Sequence, residues 1–230
     1  MQGILLIDKP KGWTSFDVVN YVRKIVAAHE SKKPKNTKVG HTGTLDPLAT
    51  GLLVLLIGKE YTKKAGELSK HDKTYQVVMR LGQTSTTGDE EGEKTVVSDT
   101  VPSEKSVLEA LERFQGPILQ TPPMYSAIKI NGQKAYNLAR KGQVVEMEPR
   151  PATIHNSVLT QYEYPFVKFT SKVSSGTYIR SLVEDLGQEL KTGAYMSDLR
   201  RTSIDSYELD DALPVTGLTA ETIATHLLTI

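Results

Sequence analysis

Apolar runs and amphipathic stretches follow one another along this chain in no fixed order. "GILLID" predicts a short buried strand, and "KPKGWTS" after it is a Pro/Gly turn in which Thr14 or Ser15 can cap a helix. Phe16, Val19, Val22, Ile25 and Val26 then recur at the helical period and predict one apolar face. The polar loop "ESKKPKNTK" separates that helix from "GLLVLLIGK", a second buried strand, and "KTYQVVMRLG" predicts a third. "TSTTGDEEGE" reads as a polar loop, and residues 103–115 as a helix with Val107, Leu108, Leu111 and Phe114 on its apolar side. "YSAIKINGQKAYNLARKG" predicts a strand, an Asn-Gly turn and a short helix ending at Gly142. Residues 153–173 alternate as two further strands. "GTYIRSLVEDLGQELKTG" opens a helix with Ile179, Leu182, Val183, Leu186 and Leu190 inward and Gly193 as its C-cap, and a weaker helix starts near Asp210. There is no internal repeat. Strands and helices interspersed in this way predict an α+β fold, one large mixed, mainly antiparallel sheet flanked by helices.

Composition narrows the class. With 230 residues, 38% of them hydrophobic and 24% charged, the chain can bury a sizeable core. No apolar run approaches the roughly 20 residues that span a bilayer, and the N-terminus lacks the basic start and cleavage site of a signal peptide, so a cytoplasmic protein is expected. The absence of cysteine excludes disulfides, thiolate nucleophiles and sulfur-based zinc sites. His29, His41, His71, His155 and His226 never fall four residues apart, so no metal centre is expected. A net charge of +1 hides basic stretches, "HESKKPKNTKVGH" and "KEYTKKAGELSKHDK", beside acidic ones, "TTGDEEGE" and "DSYELDD". The basic faces suit a polyanion, although a lysine run is also what any solvated surface carries.

Chemistry concentrates in "GHTGTLDP". Asp46 precedes a proline, which by itself marks a turn. Two glycines and a histidine within eight residues exceed what a solvent turn needs, and glycines let a backbone come close to a ligand. A carboxylate acting as nucleophile or base needs a counter-charge when solvent is excluded, and Arg180, at the start of a core-packed helix, is the candidate by residue type. Tyr75 and Tyr178 offer aromatic faces on which an unstacked base could lie. His41 and the lysines at positions 59, 63, 64, 70 and 73 suit phosphates or displaced bases.

Taken together and in order, "DKPKGWTS", "VGHTGTLDPLATGLLVLLIGK", "KTYQVVMRLG", "TPPMYSAIKINGQKAYNLARKG", "GTYIRSLVEDLG" and "LRRT" resemble the TruB family of tRNA pseudouridine synthases, over residues 3 to about 203. The resemblance implies a pseudouridine synthase fold with its cleft across the sheet. It also implies isomerisation of the T-loop uridine at tRNA position 55 with no cofactor, metal or nucleotide, by a chain expected to be monomeric. Asp46 matches the catalytic aspartate, which attacks ribose or base or removes a sugar proton, and Arg180 its arginine partner. Tyr75 matches the aromatic that stacks on the flipped base, Tyr178 and Leu199 the residues that close the pocket, and His41 the residue that fills the vacancy in the RNA. Lys9 and Pro10 belong to a supporting motif. Residues 1–209 are then the catalytic domain and 210–230 the start of a PUA-like RNA-binding domain. "SIDSYEL" departs from the glycine-containing turn common after "LRRT". Two rival functions are a tRNA-binding folding chaperone, which could dispense with Asp46 or Arg180, and a carboxylate-based nucleoside hydrolase, which would need a second acid.

Overall fold

The computed structural model describes the whole chain except residues 127, 131, 140, 141, 144, 145 and 230. In order it forms β1 (Gly3–Lys9), α1 (Ser15–His29), β2 (Val39–His41), β3 (Thr50–Ile57), β4 (Lys73–Leu81) and α2 (Glu104–Arg113). There follow β5 (Gly116–Gln120), β6 (Arg150–Glu163), β7 (Phe166–Val173), α3 (Ile179–Glu189), β8 (Ala194–Ile204), β9 (Tyr207–Glu208), β10 (Leu213–Pro214) and α4 (Ala220–Thr225). Two compact units emerge, Met1–Tyr75 with Leu199–Ile230, and Gln76–Asp198. The chain leaves the first within β4 and returns within β8.

In the first unit β1 and β3 pair antiparallel along their length, from Gly3↔Ile57 to Lys9↔Gly51. β2 adds antiparallel to β3, while β8 and β10 pair parallel to β3 and β1, so this sheet is mixed, as the α+β reading requires. "GLLVLLIG" is apolar throughout because β3 is buried on both faces. Side chains alternate across a strand. Leu53, Leu55 and Ile57 meet Val18, Val19, Val22 and Val26 of α1, and Leu52, Val54 and Leu56 meet Ile4, Leu6 and Ile204. Each such side chain contributes about 1.5–3 kcal/mol by leaving water. β3 is therefore a stiff base for the loop that precedes it.

Thr14 and Asp17 form a capping box that starts α1. The expected apolar face needs a correction: Phe16 is 59% exposed, and Val18 is buried instead. At ~100° per residue, Phe16 lies a quarter-turn from the line through Ser15, Val22 and Val26. The expected tail helix is also modified, since α4 is only six residues long. Residues 213–228 instead run beside β1, through Ile7↔Leu213 and reciprocal hydrogen bonds between Ile4 and Leu228. The turn after "LRRT" closes without glycine, because Asp205 takes φ 52° between β8 and β9.

In the second unit β6 pairs antiparallel with both β5 and β7, and β4 neighbours β7. "TSTTGDEEGE" is not simply a polar loop. Gln83–Ser85 and Lys94–Val96 pair as a hairpin around it, and Asp89 within it is 4% exposed. α2 buries Val107, Ala110 and Leu111 but leaves Leu108 exposed. α3 buries Ile179, Leu182, Val183 and Leu186 of the expected stripe but ends earlier than expected, with Leu190 only partly buried. Leu190 is the C-cap and Lys191 turns the chain at φ 58°, so Gly193 lies beyond the helix. The strand and short helix expected in 125–142 are present as Lys129–Ile130 and Ala135–Ala139. Asn131 of the expected Asn-Gly turn is outside the described residues.

Candidate active site

Asp46 lies in the loop between β2 and β3, and that loop is tied down along its length. The Thr42 amide donates to the Val54 carbonyl at 3.2 Å, and the Gly12 amide to the Pro47 carbonyl at 2.8 Å. Leu45 is fixed from both sides by one hydroxyl: its amide donates to Ser15 Oγ at 2.8 Å, and Ser15 Oγ donates to its carbonyl at 3.0 Å. The Asp-Pro turn is real, since the Asp46 carbonyl accepts from the Ala49 amide at 3.1 Å. Turn and candidate chemistry thus coexist. Leu45, Leu48 and Ala49 are buried, whereas Asp46 is only partly so, which leaves the carboxylate as the chemically distinctive group of the loop.

Around this loop the unit buries three cations. Lys9 is 0% exposed, and its Nζ donates to the carbonyls of Pro10, Trp13 and Pro47 at 2.9, 2.6 and 3.4 Å. Arg201, 1% exposed, donates from Nε to the Leu52 carbonyl at 2.7 Å and from Nη2 to the Gly43 carbonyl at 3.0 Å. Lys73 donates from Nζ to the carbonyls of Ser69 and His71. Burial pulls the Lys9 ammonium down to about 8, against the upward pull of Asp46 and with a further downward push from Arg201. Lys73 is likewise drawn down to about 8 by burial and then by Arg201, with Asp72 opposing. His41 is shifted below the ordinary imidazole value by burial and by Arg201, so its neutral form is favoured. Its Nδ1 is buried and finds no hydrogen-bond partner among the described residues.

At the loop's exit a Cβ on Gly51, whose φ is +99°, would lie 2.2 Å from the Arg201 carbonyl oxygen, whereas one on Gly43 would make only ordinary contact with the Lys73 and Arg201 side chains. One expectation changes here. Lys59, Lys63, Lys64 and Lys70 are exposed as a polyanion contact requires, but Lys73 is buried and turned onto main-chain carbonyls. Tyr75 and Leu199 belong to this same unit, each 7% exposed, on β4 and β8. Pro10 follows the Lys9 anchor and is partly buried.

Tyr178 and Arg180 belong to the second unit, where the sequence turns from "GT" into α3. Gln120, 2% exposed, clasps the Tyr178 main chain: the Tyr178 amide donates to Gln120 Oε1 at 2.7 Å, and Gln120 Nε2 donates to the Tyr178 carbonyl at 3.0 Å. Arg180, 6% exposed, donates to the carbonyls of Thr87 at 3.1 Å and Tyr125 at 2.9 Å. Its Nη1 lies 3.7 Å from Asp89 Oδ2. Asp89 is in turn held by the Thr87 hydroxyl at 2.5 Å and the Glu91 amide at 3.1 Å. Glu184, one turn along α3, has its carboxyl pushed upward by burial, with Arg180 opposing. Sequence reasoning missed Asp89, Arg201 and the buried state of Lys73. An inward-facing arginine in a strand would have been a signal for Arg201, but Asp89 is camouflaged among three glutamates.

An α+β fold built on a mixed sheet with flanking helices is the architecture of the pseudouridine synthases. The N-terminal domain model of the TruB family pseudouridylate synthases matches residues 31–179, and the C-terminal domain model of tRNA pseudouridylate synthase B matches 180–227. The chain belongs to the TruB family. It is 44% identical over 230 residues to tRNA pseudouridine synthase B of Clostridium acetobutylicum, covering all of this chain and 76% of that one. It is 43% identical over 213 residues to the enzyme of the same name from Chlamydia abortus, covering 92% and 86%. Among solved structures, a chain of a Cbf5–Nop10–Gar1 complex matches with a TM-score of 0.69 and 29% identity, over 92% of this chain and 52% of that one.

Proposed function

We infer that this chain is a tRNA pseudouridine synthase that isomerises the T-loop uridine at position 55. The observation that carries this reading is the Asp46 loop, clamped by buried Lys9 and Arg201 inside the region that matches the family model. The base leaves its stack at a cost of a few kcal/mol. Tyr75 stacks on it, and His41, kept neutral by burial, fills the vacancy as an uncharged ring. Asp46 acts on the ribose or the base, with Arg180 as its cationic partner. The bond from uracil N1 to the ribose breaks, the base turns, and C5 takes the sugar while its proton is lost and N1 gains one. No atom is added or lost and nothing is oxidised or reduced, so the step balances with the substrate and the chain's own side chains. Tyr178 and Leu199 keep the detached uracil from leaving, since escape would yield an abasic site. The exposed lysines serve the tRNA backbone, and the reading places the protein in the cytoplasm as a monomer.

The test is a carbodiimide primer-extension stop on an unmodified tRNA transcript incubated with the purified chain and no additive. A stop at the T-loop uridine is expected. Asp46→Asn should remove it while RNA affinity stays within about threefold, because a neutral isostere keeps the loop's shape and loses its chemistry. Full activity in Asp46→Asn would refute the assignment. Tight tRNA binding with no stop in the unmutated chain would favour the folding-chaperone reading, which the retention of both Asp46 and Arg180 argues against.

A further inference from the structure

We propose that Arg201 is a positioning residue for the reaction: one guanidinium ties together the two ends of the loop that carries Asp46 and so fixes where its carboxylate stands. The proposal rests on Asp46 being the acting group. The Gly43 carbonyl precedes Asp46 and the Leu52 carbonyl follows it, so the fork closes the segment 43–52 like a buckle. The same residue secures the loop's exit through its main chain. Arg201 pairs with Gly51 in the parallel β8–β3 register, and Gly51 lies too close to the Arg201 backbone for any side chain.

A buried guanidinium is a poor choice for stability alone. Replacing buried charge by apolar groups of similar volume is commonly neutral or stabilising, so a guanidinium at a 1% exposed position calls for another reason. Its shape supplies one. The planar, fixed fork of an arginine reaches two carbonyls at once, whereas a lysine offers a single mobile ammonium. Two fixed points on either side of Asp46 leave its loop little freedom to shift, and misplacing a reacting group by about 1 Å costs on the order of 100-fold in rate. Leu199 lies two positions before Arg201 in β8, so the strand that holds the loop also presents the residue assigned to close over the base.

The experiment compares the unmutated chain with Arg201→Lys and Arg201→Gln in single-turnover conversion of a T-arm RNA, with enzyme in excess. Thermal melting gives the folded fraction, RNA affinity is measured separately, and hydrogen exchange is followed in peptides spanning 43–52. The expectation is a fall in the single-turnover rate of about 100-fold for both variants, with affinity within about threefold and the 43–52 amides exchanging faster. Lysine should not rescue, because it keeps the charge and loses the second tether. A role in folding alone would lower the rate only in step with the folded fraction, and that outcome overturns the proposal. So does an Arg201→Lys rate within threefold of the unmutated chain. If the unmutated chain converts no RNA, it is the functional reading that fails, and unchanged exchange in 43–52 would still dispose of the tether.

Discussion

Around the Asp46 loop three cations are buried, Lys9, Lys73 and Arg201, and each donates to main-chain carbonyls. At the start of α3 the buried guanidinium of Arg180 also donates to carbonyls, but it has a carboxylate, Asp89, at 3.7 Å. In the first arrangement burial pulls Lys9 and Lys73 down to about 8, with Arg201 adding to the shift and Asp46 and Asp72 respectively opposing it. The second sets a negative charge beside the cation, so the guanidinium's position is defined by charge as well as by hydrogen bonds. One region holds its buried cations on main-chain carbonyls alone, the other holds a cation against a carboxylate as well.

Geometry should be harder to disturb without loss in the first region. Gly51→Ala is expected to have the largest effect on stability, about 4 kcal/mol, since the new methyl meets the Arg201 backbone and the φ of +99° disfavours any side chain. Urea unfolding would measure it. A loss below about 1 kcal/mol would show that β3 and β8 can slide apart at Gly51 and that the loop's exit is not fixed there.

Asp89→Ala tests the second region, at about 3 kcal/mol, because it leaves the Arg180 guanidinium buried without its nearest carboxylate and the Glu91 amide without its acceptor. Activity should fall with it, whereas hydrogen exchange in the 43–52 segment should not change. Equal disturbance of both segments would mean that the two regions are not independently held.

These two residues also mark what the sequence can and cannot tell. β3 was legible because burial on both faces leaves an unbroken apolar run, and α3 because Leu182, Val183 and Leu186 keep the helical period. The order of the motifs that contain Asp46 and Arg180 named the family, as the family models bear out, but not the groups that hold either residue in place. Asp89 and Arg201 were not legible, because a buried charge is defined by carbonyls and carboxylates distant in sequence: Arg201 meets Gly43 and Leu52, roughly 150 residues away. Phe16 failed for a related reason. Its apolar character fits a core, but its helical phase puts it outside, where the Arg23 guanidinium lies 5.7 Å from its ring centre.

The smallest effect, and the most direct reading of the cation-rich setting, is the pH dependence of stability. Lys9 and Lys73 have folded-state values near 8 against 10.5 for an unperturbed lysine. Below pH 8 both groups are protonated in either state, and the folded chain bears the cost of the buried charge. Between pH 8 and 10.5 the unfolded chain binds more protons, so these groups add stability as pH rises. Each should contribute about 1 kcal/mol between pH 7 and pH 9. Lys73→Met removes one titrating group while keeping an unbranched stem in the buried position. The variant's stability curve should therefore rise less steeply over that interval, by about 1 kcal/mol, in parallel urea titrations. An unchanged slope would mean that the Lys73 ammonium titrates alike in the folded and unfolded states and that its charge is not confined. The contrast with the Arg180 region, where a carboxylate stands beside the cation, would then lose its electrostatic half and rest on geometry alone.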